Sequence, residues 1–160
     1  MEKTLVFIHG LEGTAQGTKG QFFHQNFPQM IIEDYIGAFA LRMRKLASAL
    51  TGKTDLIIVG SSYGGLMAVQ YARKNEIRVK KLILLAPALN LPEFSHNTHK
   101  QLQLPVIIYH GIDDNIVDPY IVKNIALKSF CTLEHHLVED DHSLHNTFLV
   151  LDWRKLLEID

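Results

Sequence analysis

The sequence predicts a single doubly wound α/β domain, with a mostly parallel sheet of about six strands and helices on both faces. Three observations predict it. Short apolar runs alternate along the chain with longer stretches of helical period. The runs are continuously apolar, as in DLIIV and KLILL, which suits strands covered on both faces and therefore parallel. The length of 160 residues, 47% of them hydrophobic and 21% charged, fits one globular domain spanning 1–160.

Each element has its own signal. Thr4–Ile8 (TLVFI) reads as a buried strand, and Gln29–Glu33 as a shorter one. Ala38–Leu50 places Phe39, Met43, Leu46 and Leu50 on one helical stripe, with Gly52 as the stop. Asp55–Val59 is the third strand. Tyr63–Asn75, rich in Ala and opening on a glycine pair, is a helix. Lys81–Leu85 is the fourth strand and Val106–Tyr109 the fifth. Between them Pro87–Gln103 carries prolines and asparagines and little periodicity, so it reads as a long loop placed to act as a small lid. Asp118 caps a helix that starts at Pro119. Cys131–Val138 is the sixth strand, and Ser143–Glu158 the last helix.

Composition excludes several function classes. Sixteen Lys and Arg against seventeen Asp and Glu leave a net charge of −1, so there is no basic field for a nucleic acid. No apolar stretch approaches the roughly 18 residues of a bilayer span, and the first residues lack an apolar segment with a small-residue cleavage site. No membrane partner and no signal peptide are expected. One cysteine, Cys131, cannot pair within the chain, which suits a reducing, cytoplasmic setting. Nothing in the sequence sets the oligomeric state.

The third strand runs into Gly60-Ser61-Ser62-Tyr63-Gly64-Gly65 and then a helix. This G-x-S-x-G in strand–turn–helix context is a nucleophile elbow: the sharp turn projects the Ser62 hydroxyl, and Gly60 and Gly64 leave room for crowded backbone. The first strand ends in His9-Gly10-Leu11-Glu12-Gly13, a loop with free backbone donors. The N–H groups of Leu11 and Tyr63 are the candidate oxyanion hole. A serine needs a base and the base an orienting acid. Asp113, Asp114 and Asp118 follow the fifth strand; Asp118 is explained as a cap, and spacing leaves Asp113 and Asp114 open. His142 follows the sixth strand, with His145 one turn on and less well placed.

These residues resemble the α/β-hydrolase superfamily in its small, minimally decorated form, from His9-Gly10 to His142. HGIDDNIV is similar to the family's H-G-x-x-D-x-x-V, which selects Asp114, and DDHSL is similar to its G-D-H-S-L. The resemblance implies a triad of Ser62, Asp114 and His142, needing neither cofactor nor metal. It implies acyl transfer from a small-molecule ester, as in small bacterial esterases, or from a thioester with Lys19, Lys100 and Lys123 as candidate anchors for coenzyme A. Serine at the elbow sets the chain apart from dehalogenase-like relatives with aspartate there and dienelactone-hydrolase-like ones with cysteine. The rival readings are a metal hydrolase using His96, His99, His135, His136, His142 or His145, none in a zincin pattern, and a non-catalytic binding module on the same scaffold.

Overall fold

Along the first strand, β1 (Thr4–Ile8), Val6 and Ile8 enter one core while Leu5 and Phe7 enter another. The same two-residue alternation continues in β3 (Leu56–Ser61) and β4 (Val79–Leu85), so the central strands are covered on both faces. The computed structural model describes residues 2–95 and 100–160. The remaining elements are α1 (Thr18–Asn26), β2 (Ile31–Ile32), α2 (Phe39–Ala49), α3 (Tyr63–Asn75), β5 (Leu102–Gly111), α4 (Pro119–Ser129), β6 (Phe130–Val138) and the short α5 (Trp153–Leu156).

The sheet has the order β2-β1-β3-β4-β5-β6, and every ladder is parallel. One face is packed by α2, α3 and α4, through Leu46, Leu66, Val122 and their neighbours. The other is packed by α1 and the C-terminal segment, through Phe23, Phe148 and Trp153. Strand order reverses between β1 and β3, and parallel register aligns the strand ends: Ile8 pairs with Gly60, Ser61 with Leu85, Gly111 with Val138. The loops after β1, β3, β4, β5 and β6 therefore share one edge, where doubly wound sheets bind ligands. Among the described residues no helix is long and apolar enough to cross a membrane.

One helix has no signal in the sequence, and three expectations need correction. The stretch 18–26 is helical although its bulky apolar residues, Phe22 and Phe23, are adjacent and make no helical stripe. Residues 143–158 are not one helix: Leu144 sits at φ 54, a 3-10 turn covers Phe148–Val150, and only Trp153–Leu156 is α-helical. The fifth strand extends back to Leu102 through Pro105, which precedes the β4 ladder and lies at a register shift against β6. Leu102 and Gln103 thus leave the loop assigned to a lid. The rest of that loop is packed as far as Phe94, with Ala88, Leu89 and Phe94 buried and Arg73 over the Phe94 ring; 96–99, with His96 and His99, lie outside the described residues.

Candidate active site

Ser62 joins β3 to α3 at φ 54 and ψ −115. A non-glycine residue held there stores about 1–3 kcal/mol of strain. The fold holds it by tying the Ser62 N–H to the Leu85 carbonyl at 2.9 Å and the Ser62 carbonyl to the N–H of Gly65 and of Ala88, both at 3.0 Å. The glycines make the turn possible. A Cβ on Gly60 would lie 2.5 Å from the Gly64 carbonyl oxygen, and one on Gly64 would lie 2.1 Å from that of Ile8.

Three loops then converge on the serine. His142 Nε2 is 3.1 Å from Ser62 Oγ, and its Nδ1 is 2.6 Å from Asp114 Oδ2. Since a carboxylate accepts, Nδ1 carries the proton and Nε2 keeps its lone pair for the serine hydroxyl. Asp114 is buried, and burial alone would raise its pKa. The N–H of Val117, the His142 side chain and the N–H of Ile116 outweigh burial and hold it below its ordinary value. The buried His110 adds a further donor, its Nε2–H lying 2.9 Å from Asp114 Oδ2 and 3.1 Å from the Val117 carbonyl.

The loop carrying His142 is fastened by Asp140, whose Oδ2 accepts from the N–H of Asn146 and Thr147 at 3.0 and 2.7 Å. Gly111 lets this loop pass close: its Cβ would be 2.3 Å from the Asp140 carbonyl oxygen. Asp141 binds His145 Nδ1 at 2.5 Å. That contact engages the His145 ring, whose side chain is 73% exposed and which borders the cavity without a hydrogen bond to Ser62.

The loop after β1 closes the other side. A Cβ on Gly10 would lie 3.4 Å from Ser62 Cβ. The Tyr35 N–H donates to His9 Nε2 at 2.9 Å, so the His9 proton is on Nδ1, 2.6 Å from the Gly10 carbonyl. Burial lowers the His9 pKa, which keeps it neutral in this role. The bond fixes the Gly10–Leu11 peptide and polarises its N–H. Among the described residues, the N–H groups of Leu11 and Tyr63 make no hydrogen bond to a carbonyl. Both residues border the same cavity as Ser62 and His142, about 710 Å³ in volume. Its walls are largely apolar, from Ala88, Leu91, Val117, Leu144 and Phe148.

A family model described as the alpha/beta hydrolase fold matches residues 15–104, more than half of the chain. The chain belongs to the α/β-hydrolase family. A search of curated proteins finds no match. Among solved structures the hydrolase is similar to alpha/beta hydrolase domain-containing protein 10 from mouse, at 18% identity and TM-score 0.73 over 88% of this chain and 82% of that one. It is similar to Est1E from Butyrivibrio proteoclasticus, solved with ferulic acid bound, at 15% identity and TM-score 0.77 over 98% and 88%. A monoacylglycerol lipase from Paleococcus ferrophilus gives 15% identity and TM-score 0.71 over 98% and 94%. At such identities the likeness is one of fold.

The hydrolase thus brings Ser62, His142, Asp114, Leu11, Tyr63, Gly60 and Gly64 to one strand edge, and leaves Asp113 exposed. Of the three lysines, Lys19 borders the cavity, its Nζ 2.7 Å from the Ser143 carbonyl. Lys100 is exposed, and Lys123 lies near His135, where it adds to the burial that lowers the His135 pKa to about 4. Among the described residues no group of three or more His, Cys, Asp or Glu is arranged to hold a metal ion.

Sequence reasoning missed the supporting roles of His110, Gly111 and Arg42. His110 and Gly111 stand beside each other in the H-G-x-x-D stretch, which marks the place but not the contact. Arg42 gives no local signal, since it sits on a helix among Arg44 and Lys45.

Proposed function

We propose that this hydrolase cleaves carboxylic esters of small to medium acyl chains with Ser62, His142 and Asp114, through an acyl-enzyme. The observation that carries the reading is the unbroken line Ser62 Oγ, His142 Nε2, His142 Nδ1, Asp114 Oδ2, with steps of 3.1 and 2.6 Å across the ring, whose serine and histidine border the cavity. His142 Nε2 takes the hydroxyl proton as Ser62 Oγ attacks the ester carbonyl carbon. The carbonyl electron pair moves onto oxygen, where the N–H groups of Leu11 and Tyr63 receive it. Collapse breaks the ester C–O bond, and the imidazolium gives its proton to the leaving alcohol. Water, deprotonated by His142, then attacks the acyl-enzyme and frees Ser62. Asp114, kept ionised by its donors, holds the imidazole in the competent tautomer. The apolar cavity walls support an acyl chain as the bound group.

The test is hydrolysis of p-nitrophenyl esters from two to sixteen carbons, with Ser62→Ala alongside. Turnover that vanishes in the variant, losing about 10⁴- to 10⁶-fold in kcat, is expected. No turnover together with no labelling of Ser62 by a fluorophosphonate would shift the reading to a binding module.

Lys19 supports a second reading, a thioesterase acting on acyl-coenzyme A by the same steps. Its ammonium borders the cavity next to the His142 loop, where it could meet an anionic carrier. In that case Lys19→Met would raise KM for acyl-coenzyme A and leave a neutral ester of the same chain length unaffected.

A further inference from the structure

Arg42 is 5% exposed, and among the described residues no carboxylate lies within salt-bridge distance of it. Burying a guanidinium without a counter-charge is unfavourable, because the lost hydration is not replaced. Carbonyl oxygens meet part of that cost. Nε–H donates to Gly37 at 2.8 Å and Nη2–H to Leu11 at 3.3 Å, whereas the buried Nη1 has no partner among the described residues. The guanidinium carbon lies 5.3 Å from the centre of the Tyr63 ring. One cation therefore touches both Leu11 and Tyr63, the two residues whose N–H groups face the reacting carbonyl under the function proposed above.

A structural strut explains these contacts only in part. An apolar side chain from α2 could fill the same space against Tyr63 without burying charge. Leu11 is half exposed and borders the cavity, so the bond to its carbonyl restrains a residue that faces solvent. We propose that Arg42 is a positioning residue for the oxyanion hole, and that its missing counter-charge is the oxyanion itself. The negative charge arises only in the tetrahedral intermediate, and the buried positive charge already in contact with Leu11 and Tyr63 needs no reorganisation to meet it. His9 orders the Gly10–Leu11 peptide from one side, and Arg42 orders the Leu11 carbonyl from the other. The inference rests on the esterase reading and adds to it a source of transition-state stabilisation that does not touch substrate.

The experiment compares wild type, Arg42→Gln and Arg42→Lys on p-nitrophenyl butyrate, with inhibition by an alkyl trifluoromethyl ketone, which forms a tetrahedral oxyanion on the serine. Arg42→Gln is expected to lose about 10- to 100-fold in kcat, less than removal of a direct donor, with KM within about threefold. Ketone affinity should fall by the same factor. Arg42→Lys, which keeps the charge but offers a point ammonium in place of the planar fork, should lose less than Arg42→Gln and stay within about tenfold of wild type. A kcat for Arg42→Gln within threefold of wild type overturns the inference, as does a kcat loss with unchanged ketone affinity. If Arg42→Gln does not fold, Arg42→Lys decides: a loss above tenfold at unchanged Tm overturns it. A wild type inert towards both the ester and a fluorophosphonate refutes the esterase reading and the inference with it. An active, labelled wild type with indifferent Arg42 variants refutes the inference alone.

Discussion

Asp114→Asn exchanges one carboxylate oxygen for an NH2 group where donors already converge. Oδ1 accepts from the N–H of Ile116 and Val117 at 2.9 and 2.8 Å, so the amide carbonyl must take that position. The NH2 group then faces His142 Nδ1 and His110 Nε2, at distances that were 2.6 and 2.9 Å to oxygen. His142 can avoid two opposed donors only by moving its proton from Nδ1 to Nε2. A protonated Nε2 cannot accept from Ser62. The expected loss in kcat is about 10⁴-fold, or about 5.4 kcal/mol of transition-state stabilisation. Stability should change far less. Among the described residues His110 Nδ1 has no partner, so that ring can change tautomer and accept from the new amide, at the expense of its bond to the Val117 carbonyl. One lost hydrogen bond costs about 1 kcal/mol, a fall of about 2–4 °C in Tm. The assay is ester hydrolysis with concentrations set by fluorophosphonate titration, with a thermal melt of each variant. Asp113→Asn, altering an exposed side chain, should stay within about twofold of wild type. An Asp114→Asn enzyme above a tenth of the wild-type rate, or equal losses at the two positions, would refute the assignment of the acid.

The other predictions use different handles. His142→Ala should cost about 10⁴-fold or more in kcat, and His145→Ala less than about threefold, because His145 is engaged with Asp141; reversed ranks would move the base to His145. Gly64→Ala places a Cβ 2.1 Å from the Ile8 carbonyl oxygen, so backbone must move; a loss of about 3 kcal/mol, or 6–12 °C in Tm, is expected, and an unchanged melt would contradict the packing of the elbow on β1. Glu158 is held at a pKa of about 2 by hydrogen bonds from Lys80 and Lys81. Its folded pKa is depressed, so the stabilisation is present above the ordinary glutamate value and is lost as pH falls towards about 2. Glu158→Gln should therefore lower stability by about 1 kcal/mol at pH 7, the ions being partly solvated, and by nothing near pH 2 in a denaturant titration.

What the sequence made legible was local. TLVFI and DLIIV are legible as strands because apolar runs this short, bounded by polar residues or glycine, suit a strand covered on both faces. Asp118-Pro119 starts α4 because a cap and a fixed φ act on their own neighbours, and Asp118 Oδ1 does accept from the N–H of Tyr120 and Ile121. The first helix was illegible for the converse reason. Phe22 and Phe23 pack round Phe148 and Trp153, residues more than a hundred positions away, and without them the segment has no apolar face. The C-terminal segment misled because its apolar spacing suits a helix, whereas the buried Asp140 carboxylate captures the N–H groups of Asn146 and Thr147 and imposes a turn.

The site divides along the same line. Ser62, Gly60 and Gly64 could be read from five adjacent residues, because a strained turn needs its glycines in place. His142 and Asp114 could be placed after their strands, but only parallel register and the close passage at Gly111 bring them together. Arg42 could not be read at all. On α2 it looks like one charge among several, and its burial depends on the Gly37 carbonyl, the Leu11 carbonyl and the Tyr63 ring arriving from three other segments. Motifs report the atoms that must be adjacent in the chain. The charge that acts on them from behind leaves no motif, and it is visible only as a buried cation with no carboxylate within salt-bridge distance among the described residues.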